Sequence, residues 1–91
     1  MPVELFGEQE RQRRLKEIQA EEPSDWAAQY SPGSFGCHEL LDRTSLVAEI
    51  VERQILNHPA CVQNKEWFAL ADRAVNALQE LYQQVGSRHM K

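Results

Sequence analysis

Two long segments that carry an apolar residue at every third or fourth position constrain this chain more than any other feature of its sequence. In the first, from Gly36 to about Asn57, the apolar and small residues fall within an arc of about 120° on a helix. They are Cys37, Leu40, Leu41, Thr44, Val47, Ala48, Val51 and Ile55. The pattern predicts an amphipathic helix that stops at Asn57-His58-Pro59, because proline disfavours helical geometry in the residue before it.

The second segment predicts a helix from Asn64, a good N-cap, to Val85, with Gly86 at the preferred C′ position. Apolar residues repeat there at heptad spacing, which is typical of a packed helix pair. The predicted seam is Trp67, Ala71, Ala74, Leu78, Leu81 and Val85, flanked by Phe68, Val75 and Tyr82 on one side. The connection from His58 to Gln63 is short, so we expect an antiparallel helical hairpin over residues 37–86.

The apolar surface of this hairpin is wider than two helices can cover for each other. The second helix has an apolar arc of about 180°, and Leu46 and Ile50 form a further edge on the first helix. A two-helix layer has no closed core, and a chain of 91 residues is marginal as a monomer. Either the N-terminal aromatic segment or a second copy must cover this surface. We therefore predict an all-α fold, completed as a four-helix bundle by homodimerisation. The predicted interface residues are Leu46, Ile50, Trp67, Phe68, Val75 and Tyr82.

The rest of the chain, which we take as one domain, is more polar. Residues 1–22 form a charged arm with a predicted helix over about 8–21, and residues 23–36 form a connector. Ser24 suits the N-cap of a short helical turn in the connector. We expect its aromatic residues, Trp26, Tyr30 and Phe35, to lie on the hairpin. Residues 87–91 are predicted to be a flexible tail.

One cluster could carry chemistry. His38 and Asp42 are four residues apart, so they share a helix face, and Cys37 lies beside them at a helix N-terminus. A metal or thiol site is the functional interpretation; the alternative is a buried cysteine next to an exposed His–Asp pair. The alternative is favoured, since Cys37 projects into the apolar stripe while His38 points toward solvent. We therefore expect no metal, no cofactor and no catalytic residue.

Composition excludes some partners. The net charge is −4, and acidic residues bracket the only basic cluster, which consists of Arg11, Arg13, Arg14 and Lys16. Nucleic-acid binding needs a concentrated positive face, so we expect none. No apolar run approaches a membrane span, and the start of the chain lacks the pattern of a secretory signal, so we expect no membrane association and a cytoplasmic location.

The stretch from Pro32 to Arg43, together with His58-Pro59-Ala60 and residues 81–86, resembles small bacterial hypothetical proteins of unassigned function. The resemblance covers residues 32–86 and implies no functional residues. From the residues we predict a non-enzymatic module that self-associates and docks an unidentified protein partner. A small metal- or thiol-dependent protein that uses Cys37 and His38 is the alternative.

Overall fold

The computed structural model describes residues 7–90, which are mostly helical, with no strand among them. The all-α prediction is confirmed. The first six residues of the arm, and Lys91, lie outside the described part. The helices are α1 (Glu8–Glu21), α2 (Phe35–Val51), α3 (Pro59–Gln63) and α4 (Lys65–His89), with a 3-10 turn at Trp26–Tyr30 and a π-helical turn at Glu52–Leu56.

Side-chain caps begin three of the helices. The Ser34 hydroxyl accepts a hydrogen bond from the Cys37 amide at 3.2 Å, which starts α2. The Asn64 carbonyl Oδ1 accepts from the amides of Glu66 and Trp67 at 3.0 and 3.1 Å, which starts α4. His58 caps α3 in the same way, and Pro59 occupies its first turn. These bonds satisfy amides that have no partner within their helix.

The main packing contact joins α2 to α4, which run antiparallel. At one end, the rings of His38 and His89 lie 5.4 Å apart, and the Gly33 amide donates to His89 Nδ1 at 3.0 Å. At the other end, α3 and the π-helical turn pack on the start of α4. The buried stripe of α2 consists of Cys37, Leu41, Thr44 and Ala48.

The α4 face that packs on α2 differs from the predicted seam. Val75 is the most buried core residue, with 3% exposure, and Ala71 is also buried. Trp67, Ala74 and Leu81, all in the predicted seam, are exposed. The prediction was right for Ala71, Leu78 and Val85, which are buried or half-buried, and wrong for the other three. The apolar arc of α4 is broad, and α2 covers the Ala71–Val75 side of it rather than its centre.

A π-helical turn changes the end of α2. The Asn57 amide donates to the Glu52 carbonyl at 3.0 Å, an i→i+5 bond that places one extra residue in the turn. The extra residue shifts the side chains that follow it around the helix axis. Leu56 therefore enters the core, and Ile55, which was predicted to lie there, is exposed. Leu56 packs with Cys61 of α3, Ala71 and Val75. The predicted loop at 58–63 thus contains a helix that contributes to the core.

The C-terminal prediction also needs correction. Gly86 lies inside α4 rather than at its C′ position, and the supposed tail is helical through His89. A Cβ atom at Gly86 would lie 3.6 Å from Leu41 Cδ1, so the helix continues in ordinary contact with α2. The bond from the Gly33 amide to His89 further holds this last turn in place.

The connector contacts α2 without covering the apolar surface of the helix pair. Asp25, not Ser24, precedes the 3-10 turn, and it makes no side-chain cap bond. Phe35 is 81% exposed and Tyr30 is also exposed, contrary to prediction; Trp26 is half-buried. The Tyr30 ring lies so close to Gly36 that an added Cβ would fall 2.3 Å from its Cδ1 atom. The contact of the Tyr30 ring with α2 is therefore confined to the N-terminal end of that helix.

We expect Val75→Ala to lower the free energy of unfolding by about 2 kcal/mol, through lost burial and the cavity left behind. Gln79→Ala, on an exposed position one turn later, is the control and should change it by less than about 0.5 kcal/mol. Urea denaturation measures both. Equal effects would contradict the placement of the α2–α4 contact.

We expect Asn64→Ala to cost about 1 kcal/mol, because two amides at the start of α4 lose their acceptor. Asn64→Asp retains a carboxylate acceptor and should keep most of the stability. Thermal unfolding followed by circular dichroism compares the two variants. A loss as large in the Asp variant as in the Ala variant would show that the cap bond is not the cause.

Candidate functional site: the apolar side of the helix pair

The groove between α2 and α4 has a polar side. It is lined by Ser45, Ala48, Glu49 and Glu52 of α2 and by Gln79, Tyr82 and Gln83 of α4. On each helix these residues occupy one edge of the buried stripe. Because the groove brings those two edges together, the opposite edges of both helices fall on the other side of the pair.

That other side is apolar and exposed. On α4 it carries Trp67, Leu70, Ala74, Ala77 and Leu81, all exposed, with Leu70 at 62%. On α2 it carries Leu40 and Val47, with Ile50 next to them. We call these eight residues the apolar side. Large apolar side chains grouped on one side of a small domain commonly mark a protein–protein contact.

The structure places the predicted interface residues in different environments. Trp67 and Ile50 belong to the apolar side, and Leu46 is exposed on the outer face of α2. Tyr82, although exposed, lines the polar groove, and Phe68 lies on the edge nearest that groove. Val75 is buried against α2, so it is not available to a partner.

Sequence reasoning missed four large residues of this side, namely Leu40, Val47, Leu70 and Leu81. Three of them were assigned to intrachain stripes, and Leu70 was not among the predicted interface residues. A signal was present in the sequence: Trp67, Leu70, Ala74, Ala77 and Leu81 form a second heptad repeat, offset from the residues that pack on α2.

An open apolar cleft of about 580 Å³ lies at the α3 end of the pair. It is lined by Gln54, Ile55, His58, Ala60, Cys61, Trp67, Leu70 and Ala71. Its volume is within the range of small-molecule sites, but it is shallow and continues onto the apolar side through Trp67 and Leu70. We therefore treat it as the end of the apolar side.

The residues at the candidate metal or thiol site are placed as follows. Cys37 is buried on the stripe that faces α4, whereas His38 and Asp42 are exposed, with 3.3 Å between His38 Nε2 and Asp42 Oδ2. His89 reaches His38, but its Nδ1 accepts the Gly33 bond and must be unprotonated to do so. Within residues 7–90, no three His, Cys, Asp or Glu side chains are grouped to hold a metal ion.

The three arginines of the basic cluster pair with glutamates within α1. Arg11 donates to Glu8, with 2.8 Å from its Nε to Glu8 Oε2, and Arg14 donates to Glu10 at 2.9 Å. Arg13 binds both Glu10 and Glu17. The arm thus presents alternating charges rather than the basic face that nucleic acid requires.

These arginines lower the pKa values of two glutamates. The hydrogen bond from Arg11, and then that from Gln12, lowers the pKa of Glu8 from 4.5 to about 2. Arg13, followed by Arg14, lowers the pKa of Glu10 from 4.5 to about 2 in the same way. Both carboxylates are exposed, so the solvent-screened pairs contribute little to global stability.

No helix in the described part of the chain is both long and apolar enough to cross a membrane. Comparison with protein-family models, curated proteins and solved structures finds no significant match to this chain. The resemblance to small bacterial proteins stays a prediction.

We expect the helicity of α1 to fall as the pH decreases from about 4.5 toward 2. A lowered carboxyl pKa stabilises the folded helix above the unfolded value, and that contribution is lost on protonation. Carboxyl-carbon NMR titration should give midpoints near 2 for Glu8 and Glu10. Arg11→Gln should return the Glu8 midpoint toward 4.5 and leave that of Glu10 unchanged. Midpoints near 4.5 in the unsubstituted protein would contradict the ion pairs.

Proposed function

We propose that this protein is a non-enzymatic helical module that forms a homodimer and acts through protein–protein interaction. In this proposal the helical hairpin of α2 and α4 is half of a core. The apolar side of a second chain covers it, and the two hairpins make a four-helix bundle.

The observation that carries the proposal is the excess of exposed surface. The chain exposes 7692 Å². A compact monomer of 10.5 kDa would expose about 5,400 Å². The radius of gyration is 16.1 Å, against about 12 Å for a compact chain of this length. Part of the excess belongs to helix α1, which has no buried residue. A stable dimer needs only about 800 Å² from each partner.

The elements at residues 7–90 leave the apolar side uncovered. The aromatic connector packs at the N-terminal end of α2, and Phe35 faces solvent. Helix α1 makes no extensive contact with another described helix and has no buried residue. Its large apolar residues, Leu15 and Ile18, are too few to cover a surface that runs from Trp67 to Leu81 along α4. A second copy brings a matching surface of equal length.

The remaining surface suits a protein partner rather than nucleic acid. The net charge of −4 and the paired arginines of the arm supply no cationic face. With two cysteines that form no disulfide, the cytoplasm is the location we propose. The metal- or thiol-dependent alternative is the weaker candidate, because Cys37 is buried while the His38–Asp42 pair is exposed.

We expect a mass of twice 10.5 kDa by light scattering coupled to size exclusion at micromolar concentration. Leu81→Glu should give a monomer, because it places a charge on the apolar side. Gln83→Glu adds the same charge in the polar groove and should leave the dimer intact. Circular dichroism checks that both variants remain helical. A monomeric unsubstituted chain would refute the proposal.

A further inference from the structure

We propose that α4 pairs antiparallel with α4 of a second copy, about a two-fold axis that passes between Ala74 and Ala77. This inference rests on the proposed dimer and goes further, because it names the helix at the axis, the direction of pairing and the charged residues that set it.

The exposed repeat on α4 has the spacing of a helix–helix seam. From Trp67 to Leu81 the intervals are 3, 4, 3 and 4 residues, and every residue of the repeat is exposed. Such a 3-4 alternation keeps a continuous line of side chains facing a partner helix over several turns. The helix continues unbroken to His89, so the whole repeat lies on one rigid element.

Within this repeat, the four residues from Leu70 to Leu81 are also symmetric about their centre. Leu70 and Leu81 lie at equal distances from the midpoint of Ala74 and Ala77. In an antiparallel pair, Leu70 therefore meets the partner's Leu81, and Ala74 meets the partner's Ala77. The small central residues let the two helices approach closely, and the leucines fill the space on either side.

The position of α2 distinguishes antiparallel from parallel pairing. On α4, the residues that pack on α2 flank the exposed repeat on one side, as Ala71 and Leu78 do. An antiparallel pair places the α2-facing flanks of the two α4 helices next to each other. Both α2 helices then lie on the same side of the α4 pair and close a four-helix core. A parallel pair places them on opposite sides and leaves an open layer of helices.

The charges beside the repeat favour the same direction. Arg73 and Glu80 occupy equivalent heptad positions on the flank away from α2, and both are exposed. Antiparallel pairing places Arg73 opposite the partner's Glu80, and the symmetry axis repeats this contact. Parallel pairing places Arg73 opposite the flank of the partner's α4 that packs on α2. That flank carries Ala71 and Leu78, so Arg73 would have no acidic residue opposite it.

A charge exchange tests the pairing. We expect Arg73→Glu or Glu80→Arg to raise the dimer Kd about tenfold at low ionic strength, since each creates two like-charge contacts. The double variant Arg73→Glu/Glu80→Arg should return the Kd to within about threefold of the original. Arg53→Glu makes the same charge change in the π-helical turn, where Arg53 pairs with Glu49 of α2, and should leave the Kd unchanged.

Disulfide cross-linking provides a second measurement. A mixture of Leu70→Cys and Leu81→Cys chains should form a covalent dimer under mild oxidation. Neither variant alone should do so, because like positions are about 16 Å apart along an antiparallel pair. The buried Cys37 and Cys61 are common to all samples.

Cross-linking confined to the mixture, together with rescue by the double variant, would support the antiparallel seam. A dimer that cross-links in each variant alone, or in none, or that the exchange does not restore, would overturn the seam and leave the proposed dimer standing. A monomer at every concentration would overturn both.

Discussion

The contact of α2 with α4 is the interaction on which the rest of this structure depends. It orders the two long helices, holds α3 and the π-helical turn at one end, and joins His89 to the connector at the other. Yet the contact is narrow. Its buried residues are mainly small, such as Ala48, Ala71 and Val75, and no large side chain in the described part is fully buried. Small residues let the helices approach closely but remove little apolar area from water, so burial within one chain stabilises it only weakly.

The distribution of residues around this contact divides the helix pair into two unlike sides. Glutamates and glutamines border one side of the groove, while leucine, valine and tryptophan border the other. A monomer would gain solubility from a polar surface on both sides. Such a contrast between a polar and an apolar side is typical of helix pairs that have one side in water and the other against a partner.

The connection between the two long helices packs into the core and is not an open loop. The extra residue in the π-helical turn moves Leu56 into the core, and α3 adds Cys61 beside it. These two residues close the end of the core around Ala71 and Val75. The same rotation exposes Ile55 and opens the cleft that leads onto the apolar side. Core closure and surface exposure at this end therefore have one cause.

The local features of this chain could be predicted from its sequence, because they depend on nearby residues. Helical periodicity predicted α1, α2 and α4, and the Asn64 cap follows from a side chain and amides within three residues of it. The face that α4 turns toward α2 could not be predicted in this way. Its apolar arc offers two heptad repeats, and only packing against α2 selected Ala71 and Val75 over Ala74 and Leu81. The π-helical turn and the continuation through Gly86 were likewise decided by contacts between distant residues, namely Leu56 with Val75, and His89 with Gly33. The sequence by itself determined that α1, α2 and α4 are helical and how much apolar surface they carry, because helical periodicity depends on nearby residues. The tertiary structure decided which part of that surface is buried and which part stays exposed, because packing depends on distant residues.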